Sequence, residues 1–86
     1  MATIKQTAGY ITAMQQINRF LRKSTKKYSA CFCTTKEIAK EKGFYCYTYE
    51  IANAVADNLV IKHNLQRVKT DIPISIMEKS KYIVLA

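Results

Sequence analysis

Apolar residues in the first quarter of the chain recur with the period of a helix. In the stretch TAGYITAMQQINRFLRK they are spaced mainly by three and four residues. This spacing is typical of one apolar face of an amphipathic helix, and it predicts a helix over about residues 7–23. The residues of the apolar face are Tyr10, Ile11, Met14, Ile17 and Leu21.

A second periodic region covers about residues 34–62. A threonine pair can cap a short helix that holds Ile38 and Ala39 inward and ends at Gly43, where we expect a left-handed cap. In the following YEIANAVADNLV, apolar residues four apart predict a longer helix. Its inward positions are Ile51, Val55 and Leu59. A short helix, a glycine turn and a longer helix make a helix-turn-helix.

The C-terminal stretch IPISIMEKSKYIVLA has the alternation of a strand rather than the period of a helix. Ile72, Ile74 and Ile76 alternate with other residues, the polar segment EKSK follows, and YIVL ends the pattern. Two apolar runs joined by a polar turn predict a β-hairpin over about residues 72–85.

The helix-turn-helix and the hairpin together resemble the winged helix-turn-helix family. The resemblance implies an α+β fold, a small winged-helix-like domain with three helices and a C-terminal β-hairpin. The length of 86 residues predicts that residues 1–86 form a single domain. In this family the second helix of the motif typically enters the major groove of DNA. The residues that carry the resemblance are Ile38, Ala39, Gly43, Ile51 and Val55.

The charge of the chain is unevenly distributed. The formal net charge is +8, from 14 Lys and Arg against 6 Asp and Glu. The first carboxylate is Glu37, so residues 1–36 carry seven bases and no acid, whereas the remaining residues are close to neutral. A one-signed cluster indicates an anionic partner, such as nucleic acid, an acidic protein or an anionic membrane surface.

Five bases lie together in RFLRKSTKKY, and we call them the basic stripe: Arg19, Arg22, Lys23, Lys26 and Lys27. Arg19, Arg22, Lys23 and, if the helix continues, Lys26 recur at helical spacing opposite the apolar face. A solvated helix face is the alternative interpretation, because positive charge is also favoured near a helix C-terminus. The missing acids favour phosphate contacts.

Other residues join the stripe in the predicted interface. Asn53 and Asn58 could hydrogen-bond adenine from the second helix of the motif. That helix also exposes Glu50 and Asp57 in its predicted orientation, and these would repel phosphate, so further positive contacts are expected from Arg67, Lys69, Lys79 and Lys81 near the wing. The predicted nucleic-acid-binding residues are Arg19, Arg22, Lys23, Lys26, Lys27, Tyr28, Asn53, Lys79 and Lys81.

Two functions therefore stay open. The first is a small basic nucleic-acid-binding protein, in particular a winged-helix regulator of transcription that contacts DNA in preference to RNA. Aromatic faces beside a cationic groove can also stack unpaired bases, and the tyrosines Tyr28, Tyr45, Tyr47 and Tyr49 are candidates for that role or for ordinary packing. The second function is a protein-interaction module, an inhibitor or adaptor of phage or viral type that binds a partner protein or its RNA. A homodimer is left open.

The remaining candidate residues, the cysteines and the histidine, predict neither an enzyme nor a cofactor. Cys31, Cys33 and Cys46 are an odd set that favours reduced thiols and a cytoplasmic location over disulfides. With His63 they could supply four zinc ligands, but their spacing is unusual, so we predict no metal. No apolar segment has the length of a membrane span. An acid-free N-terminus also fits an organellar transit peptide, and this alternative stays open.

Overall fold

The computed structural model describes residues 4–68 and 73–86, and Ile74 by its backbone alone. The described parts contain four α-helices and four strands, together with two 3₁₀ turns at Ile4–Gln6 and Lys40–Lys42. The α+β class predicted from the sequence is confirmed. In chain order the elements are α1 (Ala8–Lys23), β1 (Ala30–Thr34), α2 (Lys36–Ala39), β2 (Phe44–Tyr45), α3 (Tyr49–His63), β3 (Gln66–Arg67), α4 (Ile74–Met77) and β4 (Tyr82–Leu85).

The two long helices begin at threonine caps. The Thr7 side chain accepts a hydrogen bond from the Tyr10 backbone N–H at 3.3 Å, and the Thr48 side chain accepts one from the Ile51 N–H at 3.1 Å. Each threonine satisfies a backbone donor that lacks a partner within its helix. α3 ends at Asn64, which takes the left-handed conformation that asparagine tolerates. α1 spans nearly the range that the apolar period predicts.

The four strands form one mixed sheet in the order β2-β4-β1-β3. β1 pairs antiparallel with β4 and parallel with β3, and β4 pairs antiparallel with β2 on its other edge. α1 and α3 pack against each other, and α3 packs on β1, β3 and β4. Side chains on this face of the sheet therefore enter the core. The largest fully buried side chains are Ile17, Leu59, Ile83, Val55, Cys31, Cys46 and Ser80.

The predicted β-hairpin over residues 72–85 is wrong. Ile74–Met77 is a short helix, in which the Pro73 carbonyl accepts hydrogen bonds from the N–H groups of Ile76 and Met77, both at 2.9 Å. β4 does form, but β1 and β2 occupy its two edges. No edge of β4 is left for a preceding strand. Ile72 of the proposed alternation lies outside the described residues.

The turn after α2 also differs from the prediction. Gly43 has a φ of −89°, so it is not a left-handed cap. Glycine is favoured there because a Cβ on Gly43 would lie 2.5 Å from the Ala39 Cβ. Ala39 is buried as predicted, whereas Ile38 is 67% exposed. Consecutive helical residues point about 100° apart, and a helix this short cannot turn both toward the core.

Candidate functional site

The basic stripe lies on the exposed side of α1 and on the segment that follows it. All five of its side chains are exposed. At about 100° per residue, Arg19 points away from the buried Ile17, with Arg22 and Lys23 on either side of it. α1 ends when Ser24 becomes extended, and the Ser24 hydroxyl donates to the Lys26 carbonyl at 3.0 Å. The stripe therefore continues beyond the helix as a short extended segment.

The end of α3 adds polar groups on one flank of the stripe. Arg22 shares a shallow depression of about 290 Å³ with Asn18, Leu21, Lys62 and His63. The His63 Nε2 lies 2.7 Å from the Asn18 Oδ1 and, as the N–H tautomer, donates to it. Burial, and secondly the charge of Lys62, lower the pKa of His63. At neutral pH this flank therefore gains the charge of Lys62 and an uncharged imidazole.

A cleft of about 500 Å³ lies on the other flank of the stripe. It lies between α1, the segment that leads into β1, the segment that leads into β2, and the end of β4. The Lys26 Nζ lies 5.3 Å from the centre of the Tyr28 ring, within the range of a cation–π contact. The lining residues are Phe20, Lys26, Tyr28, Glu41, Lys42, Gly43, Phe44 and Leu85.

Of the lining residues, sequence reasoning predicted Lys26 and Tyr28 for the interface and missed the others, among them Phe20, Lys42 and Phe44. Phe20 stands between two arginines in RFLR, and this interleaving of aromatic and basic residues could have drawn attention to it. Lys42 and Phe44 carry no such pattern. They reach the cleft because β2 pairs with β4, whose far end lies beside Tyr28.

The second helix of the predicted motif is largely enclosed. On α3 only Glu50, Asp57, Ile61 and Lys62 are exposed, and Asn58 is half-buried with its Nδ2 donating to the Tyr10 hydroxyl at 2.6 Å. Glu50, Asp57 and Ile61 are spaced by seven and four residues along one side, and two of these three are acidic. This side of α3 offers a phosphate backbone little positive charge.

Asn53 and Arg67 bind each other rather than facing solvent. The Arg67 guanidinium donates to the side-chain and backbone oxygens of Asn53 and pairs with the Asp57 carboxylate. The Arg67 side chain is only 12% exposed. The amide oxygen of Asn53, which a bidentate contact to a base would employ, is thus already engaged. Lys69, named with Arg67 in the prediction, lies outside the described residues.

Lys79 and Lys81 are not at a hairpin tip, because that hairpin does not form. They lie in the connection between α4 and β4, where Lys79 is exposed and Lys81 is half-buried. The pKa of Glu37 is lowered by a hydrogen bond from its own backbone, by Thr35, and by the nearby charges of Lys79 and Lys36. β4 places the backbone of Lys81 about 13 Å from that of Leu85 in the lining of the aromatic cleft, since a strand rises about 3.3 Å per residue.

Two of the alternating tyrosines, Tyr45 in the edge strand β2 and Tyr47 just after it, form an aromatic group with Tyr82 of β4. The rings of Tyr45 and Tyr47 have centroids 4.8 Å apart, and the Tyr45 and Tyr82 centroids are 5.3 Å apart. Tyr45 and Tyr47 are exposed, and Tyr49 is half-buried. Tyr47 also packs over Gly9 of α1, so it contributes to packing as well as to the surface.

The three cysteines are free thiols inside the fold. Cys31 and Cys46 are buried and Cys33 is half-buried. Burial raises the pKa of Cys33 to about 11 and that of Cys46 to about 12. These thiols are therefore protonated at neutral pH, which opposes both metal ligation and nucleophilic attack. In residues 4–68 and 73–86 no three His, Cys, Asp or Glu side chains are grouped so that they could hold a metal ion.

Comparison with known proteins gives no relative for this arrangement. No protein-family model matches the chain, and neither the curated proteins nor the solved structures contain a match to it. Among the helices that the structure describes, none combines the length and the apolar character needed to cross a bilayer. Function is therefore inferred from the geometry of the surface itself.

Proposed function

We propose that this protein binds nucleic acid through phosphate contacts made by the basic stripe. The observation that carries the proposal is that five exposed cations lie together on and just after α1 without a compensating acid. Within residues 4–68 and 73–86, no carboxylate lies within ion-pair distance of any of them. Such a surface releases counterions when phosphates bind, and this supplies affinity without sequence specificity.

The charges exposed on α3 affect how this protein could contact duplex DNA. A winged-helix regulator would need α3 in the major groove, and its exposed Glu50 and Asp57 oppose that placement. The order of α1, α2 and α3 supports a distant relation to winged helices, but β3 and β4 lie on opposite sides of β1. We therefore place the phosphate contacts on α1 rather than on the helix-turn-helix.

Salt dependence of binding tests the proposal directly. Fluorescence anisotropy with labelled duplex DNA, duplex RNA and single strands gives the slope of log affinity against log salt for each. We expect the magnitude of this slope to fall by about 0.9 for each phosphate contact removed on duplex DNA, and by about 0.7 for each one removed on single strands. The variant carries R22A, K23A, K26A and K27A. An unchanged slope in this folded variant would show that the stripe does not contact phosphate.

A charge-matched pair of variants separates local contacts from net charge. Lys23→Ala with Lys27→Ala removes two charges from the stripe, whereas Lys5→Ala with Lys36→Ala removes two exposed charges elsewhere. We expect the first pair to lower affinity more than the second. Equal losses would mean that overall charge, rather than the stripe, attracts the nucleic acid.

The protein-interaction module is the second candidate function. The observation that favours it is the exposed side of α3, where Ile61 is 83% exposed one helical turn after the acidic Asp57. This side would be free for a protein partner while the stripe occupied an acidic surface. If all the nucleic acids bind no more tightly than about 10⁻⁴ M at physiological salt, the weak limit of non-specific association, this candidate replaces the first.

A further inference from the structure

The cleft beside the stripe has aromatic walls that remain partly open. The Phe20 ring centroid lies 5.6 Å from that of Tyr28 and 5.3 Å from that of Phe44, with tilted and edge-on geometry. These rings support one another at ordinary aromatic distances. Phe20 is nevertheless 39% exposed. Its exposed surface is available for stacking by a flat ligand.

The size of the cleft suits a small part of a larger ligand. Its volume of about 500 Å³ falls within the range of about 300–1,000 Å³ that is typical of small-molecule sites. A base that is paired in a duplex is already stacked on its neighbours and cannot enter such a site. An unpaired base can leave its stack and rest on an aromatic side chain.

The charges around the cleft fit a nucleotide better than a simple anion. Lys26 lines one side and Lys42 the other, and the basic stripe continues from Lys26. Glu41 also belongs to the lining, and its carboxylate would repel a phosphate placed close to it. The same carboxylate can accept a hydrogen bond from the amino group of a base. Aromatic walls, two flanking lysines and one acceptor thus match a base with its adjacent phosphates.

We propose that this cleft binds an unpaired base of a single-stranded nucleic acid. The base stacks on Phe20, and Lys26 and Lys42 contact the phosphates on either side of it. The proposal rests on the proposed function, because the stripe would guide the same strand toward the cleft. It adds a preference for single strands over duplexes, which phosphate contacts alone do not give.

The test compares two substitutions of exposed apolar residues on α1. Phe20→Leu keeps apolar volume in the cleft but removes the aromatic face, so it limits damage to folding. Ile11→Ala is the control, because Ile11 is 44% exposed and lies outside the cleft. Anisotropy measures binding to a single-stranded oligonucleotide, to its duplex, and to an abasic strand with the same number of phosphates.

We expect Phe20→Leu to lower affinity for the single strand by at least about fivefold, the lower end of the stacking contribution per base. Its salt slope should not change, because the phosphate contacts remain. Ile11→Ala should bind as the parent does. The parent should bind the ordinary strand more tightly than the abasic one, on DNA and RNA backbones alike.

The outcomes distinguish failure of the cleft from failure of the stripe. If Phe20→Leu binds as tightly as the parent while the stripe variants lose slope, the cleft proposal is overturned and the proposed function stands. The cleft proposal is likewise overturned, and the proposed function stands, if the parent binds ordinary and abasic strands with equal affinity or binds the duplex more tightly than the single strand. If no nucleic acid binds, both proposals fail. Phe20-dependent binding of a Tyr-containing acidic peptide, without binding of the oligonucleotide, would likewise overturn the cleft proposal.

Discussion

Replacing Gly43 by alanine should destabilise the protein through one identifiable steric contact. The added Cβ would lie 2.5 Å from the Ala39 Cβ and 3.2 Å from the Tyr82 Cδ2. Carbon atoms pack best at about 3.5–4.0 Å, so the first contact requires a shift of about 1 Å. The Ala39 Cβ is attached directly to the backbone and has no rotamer that avoids the contact. The backbone of α2 or of the turn must therefore move.

The magnitude follows from two opposing effects. Overpacking a closed contact costs about 1–3 kcal/mol. Gly43 has a φ of −89° and a ψ of 150°, which alanine also adopts, so alanine recovers about 0.4–1 kcal/mol by restricting the unfolded chain. The net loss should be about 1–2 kcal/mol in the free energy of unfolding. For a domain of this size each kcal/mol lowers Tm by about 4–8 °C.

Urea unfolding followed by circular dichroism measures this loss as a fall in midpoint at constant m. A double-mutant cycle with Ala39→Gly identifies the contact, because removing the Ala39 Cβ should make Gly43→Ala less costly. Gly9→Ala is the control: the three atoms nearest to its Cβ would all belong to side chains, Ile51 Cδ1 and Tyr47 Cδ2 at 3.0 Å and Tyr47 Cγ at 3.4 Å. A loss below about 0.5 kcal/mol for Gly43→Ala, or an additive cycle, would show that the contact with the Ala39 Cβ does not set the cost of the substitution.

Two further predictions concern the interior. Burial raises the pKa values of Cys33 and Cys46 in the folded protein to about 11 and 12. As pH rises above about 8.5, these thiols lose their protons in the unfolded chain before they do in the folded protein, so the free energy of unfolding should fall. Urea unfolding between pH 7 and 9.5 should show a weaker pH dependence of the free energy of unfolding in the variant that carries both Cys33→Ala and Cys46→Ala. An equal pH dependence in the parent and the variant would contradict this. Asn53→Ala should cost about 1–3 kcal/mol by removing an acceptor from the mostly buried Arg67. Asp57→Ala should cost about 0–1 kcal/mol because its carboxylate is 61% exposed; the reverse order in thermal unfolding would mean that the ion pair is the stronger restraint.

Local sequence patterns predicted the structure correctly where that structure depends on a single segment of the chain. The period of α1 and α3 follows from which side chains must face a core, and buried Ile17, Val55 and Leu59 are on the predicted faces. The exposure of Arg19, Arg22 and Lys23 likewise follows from their positions on α1 opposite Ile17. These properties depend on residues three or four apart, which a helix brings onto one face regardless of the rest of the chain.

Pairings between distant segments could not be predicted from such local patterns. The alternation of isoleucines suggested a hairpin, but the edges of β4 pair with β1 and β2, which come from much earlier in the chain. Asn53 was expected at the surface, yet the parallel pairing of β3 with β1 brings Arg67 to it. Alternation shows that a segment has two faces without showing what covers either of them.

The mixed α+β class, the two long helices and the concentration of positive charge near the N-terminus all follow from local features of the sequence. Phe20, Tyr28 and Phe44 meet beside that charge, and Lys42 joins Lys26 across one cleft, only through the packing of the whole domain. The two kinds of feature differ in the distance along the chain over which they are set. Helix periodicity and charge are local properties of the chain, whereas a cleft exists only when packing closes the loops between segments that are far apart in sequence.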